Sequence, residues 1–529
     1  MKIILFYLIV LISYFSIIGY GTLFNNKYLK NHKNKSNLIN LLNFIIGLII
    51  LNIIGFFLYL LHITNVNINA FVIVIGLILF FQQSKTIESK ELLISSFILL
   101  LIFSGLLISK THEDFIPYHF PFIEIVTNSK LILGLGKVEI NYIYTPLISY
   151  VQKLFVLPFY DYRLLHIPIF LLYFSIINYL IKEIFLKNKI NLIFVFILIF
   201  YLTKFTRLSE YGYDYLITFL ITVLIILLIN EVKNNNKKID FFIYILIFFY
   251  SVTIKNIAIF FLPILMVIFF YKKKDILIGF KNVFNTKIPL ILFTFILCLT
   301  YVLESFLKSG CLINFFIPSC IENKIIFWAV DKTEILEISN HVKLWAKGFY
   351  HQPENHVLSS DIYMSEFNWF SNWFNIHFHY KVIEFLGILT FIFFIIYLLS
   401  LSKNEVVDKR KKINKIFILF SLISISIWFL IIPQLRFGAG LILTFYIFTL
   451  GFILDVNDRI FKSKKYIIAI VCFSIFFFNL KNINRVSDEI KRADKYKFNN
   501  FPFISVTDYA KPSTFNKRFD NALKKRFLN

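Results

Sequence analysis

The feature that leaves this chain least choice is a succession of apolar runs separated by short polar connections. Runs near 2–20, 38–61, 70–82 and 92–109 open the sequence. Others follow near 164–181, 190–203, 215–230, 240–253, 257–271, 288–305, 382–400, 416–432, 439–454 and 466–480. About 20 apolar residues cross a hydrocarbon core, so these make roughly fourteen spans, within a range of about 12–15. A soluble fold has no place for so much apolar surface: of 529 residues 58% are hydrophobic, 67 are Phe, and only 16% are charged. The expected fold class is all-α, a polytopic transmembrane helical bundle. The first run lacks a small-residue cleavage site and reads as a span, not a signal peptide.

A net charge of +24 would point to nucleic acid in a soluble protein. Here the cations alternate along the chain. Dense groups at Lys27–Lys35, Lys182–Lys189, Lys233–Lys238, Lys272–Lys274, Lys409–Lys412 and Arg459–Lys465 occupy every second connection, and the connections between them are poor in Lys and Arg. The positive-inside rule makes the basic connections cytoplasmic, so no nucleic-acid partner is implied. The N-terminus, two large segments at about 110–163 and 306–381, and the tail after about 481 then lie outside. The chain divides into N-terminal helices (1–90), a core (91–480) and a basic, periplasmic tail (481–529), with the bilayer as its solvent. Cys298 and Cys472 fall in apolar runs as packing residues. Cys311 and Cys320, in "SGCLINFFIPSCIE", lie where an oxidising compartment permits a disulfide, without the company of a zinc site.

Outside segments of this size need a reason beyond connection, and function is the usual one. In the first, "YHFPFIEIVTNSKLIL" and "YTPLISYVQKLFVLPF" have the pattern of two amphipathic helices lying in the membrane interface, joined by a turn carrying Lys137. It opens with "THEDFIPYHFPFIE", which gathers Glu113, Asp114, Tyr118 and His119 directly after a span. An isolated Asp there serves equally as a helix N-cap. Other ionisable residues adjoin the same membrane face: Arg207, Glu210 and Asp214 in "RLSEYGYDY", Lys255 in "SVTIKNIAIF" and Arg436 in "IIPQLRFGAG". Lys255 has almost no loop around it, so it either faces a cavity or partner or snorkels to the interface. Convergence of Asp114, Asp214, Lys255 and Arg436 would suit an anionic, lipid-linked substrate, with cations on a phosphate and a carboxylate as proton acceptor. In the second segment Trp369 and Trp373 read as interfacial belt residues, and Trp345 as a ligand candidate. The His residues there lack metal-site spacing.

On these residues the sequence resembles the GT-C superfold of polytopic glycosyltransferases. The series "EDFIPYHFPFIE", "EYGYDYLITFL", "TIKNIAIFFLP", "SGCLINFFIPS" with "HVKLWAKG", and "PQLRFGAG" is most similar to a branch of bacterial membrane proteins with GT-C-like architecture, over about 90–455. The resemblance implies an inverting glycosyltransferase at the outer face of the bacterial inner membrane, taking a sugar from a polyprenyl-phosphate donor. It places the family's first-segment carboxylate, which acts as catalytic base or sits beside the donor phosphate, at Asp114, with Glu113 as the other occupant. Tyr118, His119, Lys137, Arg207, Asp214, Lys255, Trp345 and Arg436 are then candidates for substrate binding. The sequence departs from the wider superfold in having no Asp-Asp or Asp-x-Asp pair in the first segment and no W-W-D-like motif, so neither a metal cofactor nor an oligosaccharyltransferase role is implied. Cys311 also stands where the branch carries a polar or aromatic residue. The other readings are an O-antigen ligase or polymerase, a lipid or glycan flippase, and a scaffold without chemistry. Against the flippase, no internal repeat is visible and the ionisable residues gather at one surface. Sugar, acceptor and oligomeric state are not specified.

Overall fold

Apolar runs with no charge to satisfy become helices, because in lipid the backbone has only its own groups to bond. The computed structural model describes residues 1–28, 37–83, 89–107, 114–187, 189–209, 211–233, 239–281, 288–354, 357–401, 405–407, 413, 415–454, 459–461, 464–491 and 500–503. The chain opens with α1 (Lys2–Tyr28), α2 (Asn37–Leu60), α3 (Val66–Gln83) and α4 (Ser89–Ile102). The first large segment holds a π-helical turn (Phe115–His119), α5 (Phe120–Asn128), α6 (Leu135–Val138) and α7 (Ser149–Leu154). Six longer helices follow: α8 (Ile167–Phe185), α9 (Leu192–Lys204), α10 (Asp214–Lys233), α11 (Phe241–Ile254), α12 (Leu262–Lys281) and α13 (Ile288–Ser309). The second large segment carries α14 (Lys332–Ala346), α15 (Ser360–Met364) and α16 (Phe370–Trp373). The last long helices are α17 (Ile383–Ser400), α18 (Lys415–Ile431), α19 (Leu435–Leu454) and α20 (Lys465–Lys491). Two three-residue strands, Glu405–Val407 and Arg459–Phe461, pair antiparallel between them.

Among the described residues nine helices are long and apolar enough to cross a membrane, and four shorter apolar ones accompany them. The chain is a multi-pass membrane protein. The run expected near 92–109 is α-helical only to Ile102, where a 3-10 turn takes over. α8 and α10 are buried along almost their whole length, whereas α17 and α20 bury little more than a quarter of theirs. Helices apolar on every side can occupy either position, core or lipid-facing rim. One apolar core joins α1 to α20, from Phe6 to Phe478. Close backbone approach helps to assemble the N-terminal helices: a Cβ on Gly19 of α1 would lie 1.9 Å from the Gly76 carbonyl oxygen of α3.

The first large segment differs from its expected form. α5 and α7 are short, and they are packed into the protein instead of being laid on a surface. All six residues of α7 are buried, Lys153 included. α7 contacts α2, α3 and α5, and Gln152 donates from Nε2 to the Leu165 carbonyl at 2.9 Å. Aromatic and aliphatic spacing marks a face that leaves water without saying whether protein or lipid will cover it. The second segment folds against the first. Cys311 and Cys320 form a disulfide, Gly134 N–H donates to the Leu307 carbonyl at 2.8 Å, and Lys308 donates to the Thr145 carbonyl at 3.0 Å.

Candidate functional site

Four charged side chains from four separate stretches meet at one end of the bundle. Asp214 is the first residue of α10, where backbone N–H groups and the helix dipole favour a carboxylate. Lys255 is the C-cap of α11: its N–H bonds to the Ser251 carbonyl at 3.1 Å, and its extended backbone (φ −151°, ψ 128°) stops the helix before a 3-10 turn begins. Its ammonium pairs with Asp214 Oδ1 and lies 4.8 Å from the centre of the Phe437 ring. Arg436, in the first turn of α19, reaches Asp214 Oδ2 at 3.3 Å and Asp114 Oδ2 at 3.4 Å through one terminal nitrogen. Asp114 stands at the N-cap position of the π-helical turn, yet its carboxylate makes no capping bond to that turn.

Burial is graded across the group. Asp214 is 11% exposed, Lys255 25%, Arg436 28% and Asp114 36%, so Asp114 is the carboxylate at the open rim and Asp214 the one that holds the cations from beneath. Burial lowers the Lys255 pKa; Asp214 opposes that shift and Arg436 adds to it. Burial likewise raises Tyr118, with Asp114 the next largest cause. The guanidinium of Arg436 is not saturated: both ion pairs are long, and its Nε is buried without a hydrogen-bond partner among the described residues. Arg436 lies 4.5 Å from the Trp345 ring centre and 5.0 Å from that of Phe437, contacts that orient a planar cation without using its N–H groups. Two helix N-termini, a lysine and an arginine whose Nε is unpartnered among the described residues thus meet here, with the carboxylate of Asp114 at their edge.

The turn that carries Arg436 is held by two tryptophans, of which Trp373 was expected in an interfacial belt. Trp373 Nε1 donates to the Pro433 carbonyl at 2.6 Å, and Trp428 Nε1 donates to that of Gln434 at 3.0 Å. Gln434 Nε2 in turn lies 2.9 Å from a ring nitrogen of His377. Trp369 and Trp373 are 2% and 4% exposed, and they form the core of the second segment with Tyr363 and Val382 instead of an interfacial belt. The indole N–H groups were the missed signal, because a Trp that bonds a carbonyl inside the protein has the same composition as one at the membrane surface.

The other candidates divide. His119 is buried beside the group, 4.3 Å from Tyr118 and edge-on to Tyr213 at 4.5 Å between ring centres. The Tyr213 hydroxyl bonds to Gln152 Oε1, which ties the approach to Asp214 onto α7. Lys137 does not join the site, since it donates to the Phe327 carbonyl at 2.7 Å. Arg207 is exposed and adjoins Lys481, in company with Lys204 and Arg485. Glu113 and Glu210 lie outside the described residues. Among the described residues searched, no three His, Cys, Asp or Glu side chains gather as a metal centre requires.

A family model described as a domain of unknown function, DUF8201, matches residues 1–443. The chain belongs to that family, and all four charged residues of the site fall within the matched region. Neither the curated proteins nor the solved structures include a match.

Proposed function

We propose that this DUF8201 family member is a GT-C-type glycosyltransferase of the bacterial inner membrane. It would take a sugar from a polyprenyl-phosphate donor at the outer face and pass it to a hydroxyl of a lipid, glycan or protein. The observation that carries this reading is the convergence of Asp114, Asp214, Lys255 and Arg436, with Asp114 at the rim and unsatisfied guanidinium donors beside it.

The chemistry follows from the roles this arrangement allows. Arg436 holds the donor phosphate through its unused N–H donors, and Lys255 adds charge from below. Asp114 takes the proton of the incoming hydroxyl as its oxygen bonds to the anomeric carbon. The bond from that carbon to the phosphate oxygen breaks on the opposite face, and the electron pair leaves on a phosphate whose added charge the two cations neutralise. Asp214 keeps both cations in place when no phosphate is bound. Trp345, packed on Arg436, forms a wall against which a sugar face stacks.

The test is mass spectrometry of lipids that co-purify in mild detergent with the wild type, Asp114→Asn and Arg436→Gln. A polyprenyl-phosphate monosaccharide is expected on the wild type, more of it on Asp114→Asn because turnover stops, and little on Arg436→Gln. Ordinary phospholipid on all three would refute the reading. A polyprenyl-linked oligosaccharide would replace it with a ligase or polymerase.

A further inference from the structure

The loop that follows α13 turns back beside the helix it leaves. Gly310, at φ 77°, reverses the chain, and Cys311 and Cys320 then pair both as an antiparallel bridge and through their disulfide. Ser305, one turn inside α13, shares its hydroxyl between the Cys311 carbonyl at 2.8 Å and Oδ1 of the buried Asn314 at 2.6 Å. Asn256 donates to the Asn314 carbonyl at 2.7 Å and accepts from the Tyr301 hydroxyl at 2.8 Å, and Tyr301 lies one turn deeper still in α13. At about 1.5 Å per residue Ser305 is about 6 Å inside the end of a span about 33 Å long, against a hydrocarbon core of about 30 Å. The hairpin tip is therefore held level with the last turns of α13, beside Lys255, and not above them.

What the hairpin shows at that level is apolar. Leu312, Ile313 and Phe316 are 45%, 43% and 53% exposed, and no charged residue falls between Lys308 and Glu322. Phe315, held at φ 62°, stacks inward on Tyr144 at 4.4 Å and leaves Phe316 outward. Ile259 is one 3-10 turn on from Asn256, hence on the same edge, and is 53% exposed. Met266 and Phe270 continue that exposed edge along the span Asn256–Lys273. Non-helical backbone can approach lipid only where its polar groups are bonded. The hairpin meets that demand: the N–H groups of Leu312, Phe316, Ser319 and Cys320 bond to carbonyls within it, that of Ile313 to Ser319 Oγ, and that of Ile321 to the Gly310 carbonyl. We propose that the hairpin 311–320 dips into the leaflet at the site's end of the bundle, with Leu312, Ile313 and Phe316 against lipid chains and Asn314 anchoring it to the turn after Lys255. The partner is the bilayer itself, because the patch is continuous with the lipid-facing edge of α12. This contact holds whatever ligand the site takes.

The test is photo-crosslinking of the full-length protein in phosphatidylcholine vesicles, with p-benzoylphenylalanine in place of Phe316, Phe270 or Glu337, one at a time. Phe270 reports the lipid-facing edge of α12, and Glu337 an exposed position on α14. Irradiation should add the mass of one lipid at Phe316 in a yield matching that at Phe270, with none at Glu337. Ile313 takes the place of Phe316 if that variant does not insert. A lipid adduct at Phe270 without one at Phe316 would overturn the proposal, and so would lipid adducts at Phe316 and Glu337 in equal yield. A covalent dimer at Phe316 in place of the lipid adduct would overturn it in favour of a second copy of the chain.

Discussion

Asp214 is the hinge of the candidate site's electrostatics, and breaking its contacts one at a time should give unequal losses. Its Oδ1 pairs with Lys255 and its Oδ2 with Arg436, and it is nine-tenths buried. Asp214→Asn leaves two largely buried cations without their shared anion, a change that costs about 3–5 kcal/mol for a buried pair broken from one side. Lys255→Met is milder, because Asp214 keeps Arg436 at 3.3 Å, and about 1–3 kcal/mol is expected. In the double variant Arg436 still has Asp114 at 3.4 Å and the uncompensated lysine is gone. The double variant should therefore be more stable than the sum of the single losses by about 1–2 kcal/mol. The assay is a chemical-denaturation cycle in one detergent, with ligand-free protein. Additivity within about 0.5 kcal/mol would mean that Asp214 and Lys255 do not share a network, and the electrostatic argument would fall.

Asp114→Asn should leave folding intact, since that side chain is the most exposed of the four, while transfer drops about 10²–10⁴-fold in a lipid-linked sugar assay. Gly438→Ala would place a Cβ 2.3 Å from the Trp428 indole, whose N–H holds the Arg436 turn. It should cost about 1–3 kcal/mol in thermal or denaturant stability and lower phosphate-lipid retention as well. Burial lowers the pKa of Lys153, in α7, from 10.5 to about 7. Between those values the unfolded chain binds the extra proton, so stability should fall as pH is lowered from 10.5 to about 7 and level off below, a slope absent in Lys153→Met. Cys311→Ser with Cys320→Ser should lower stability by about 2–3 kcal/mol. The doubly substituted protein should also hold donor lipid less well, because Asn256, next to Lys255, donates to the Asn314 carbonyl inside that loop at 2.7 Å. Unchanged lipid retention would show that the loop does not support the site.

The site was partly legible in the chain. Asp114, Lys255 and Arg436 stood out because each is a charge beside an apolar run, a position that needs a partner, and in the structure Arg436 joins Asp114 to Asp214, which in turn holds Lys255. Lys137 and Arg207 carried the same outward signal and went elsewhere. A cation near a span has several ways to satisfy itself, and Lys137 found a backbone carbonyl. The supports of Arg436 were not legible at all. Trp373 and Trp428 act through single N–H bonds to carbonyls whose positions depend on how three helices cross.

Hydropathy and charge asymmetry are local properties, summed over one run or one loop, and so the sequence by itself determined the helical class, the membrane and the alternation of basic connections. Only the tertiary structure decided which charges meet. Asp114 and Arg436 are 322 positions apart, and whether they touch depends on the packing of intervening helices whose apolar faces look alike in sequence. Burial was decided in the same way. α5, α7, Trp373 and Lys182 could each have faced lipid or water, and each was taken inside because a neighbouring helix offered a better-matched surface.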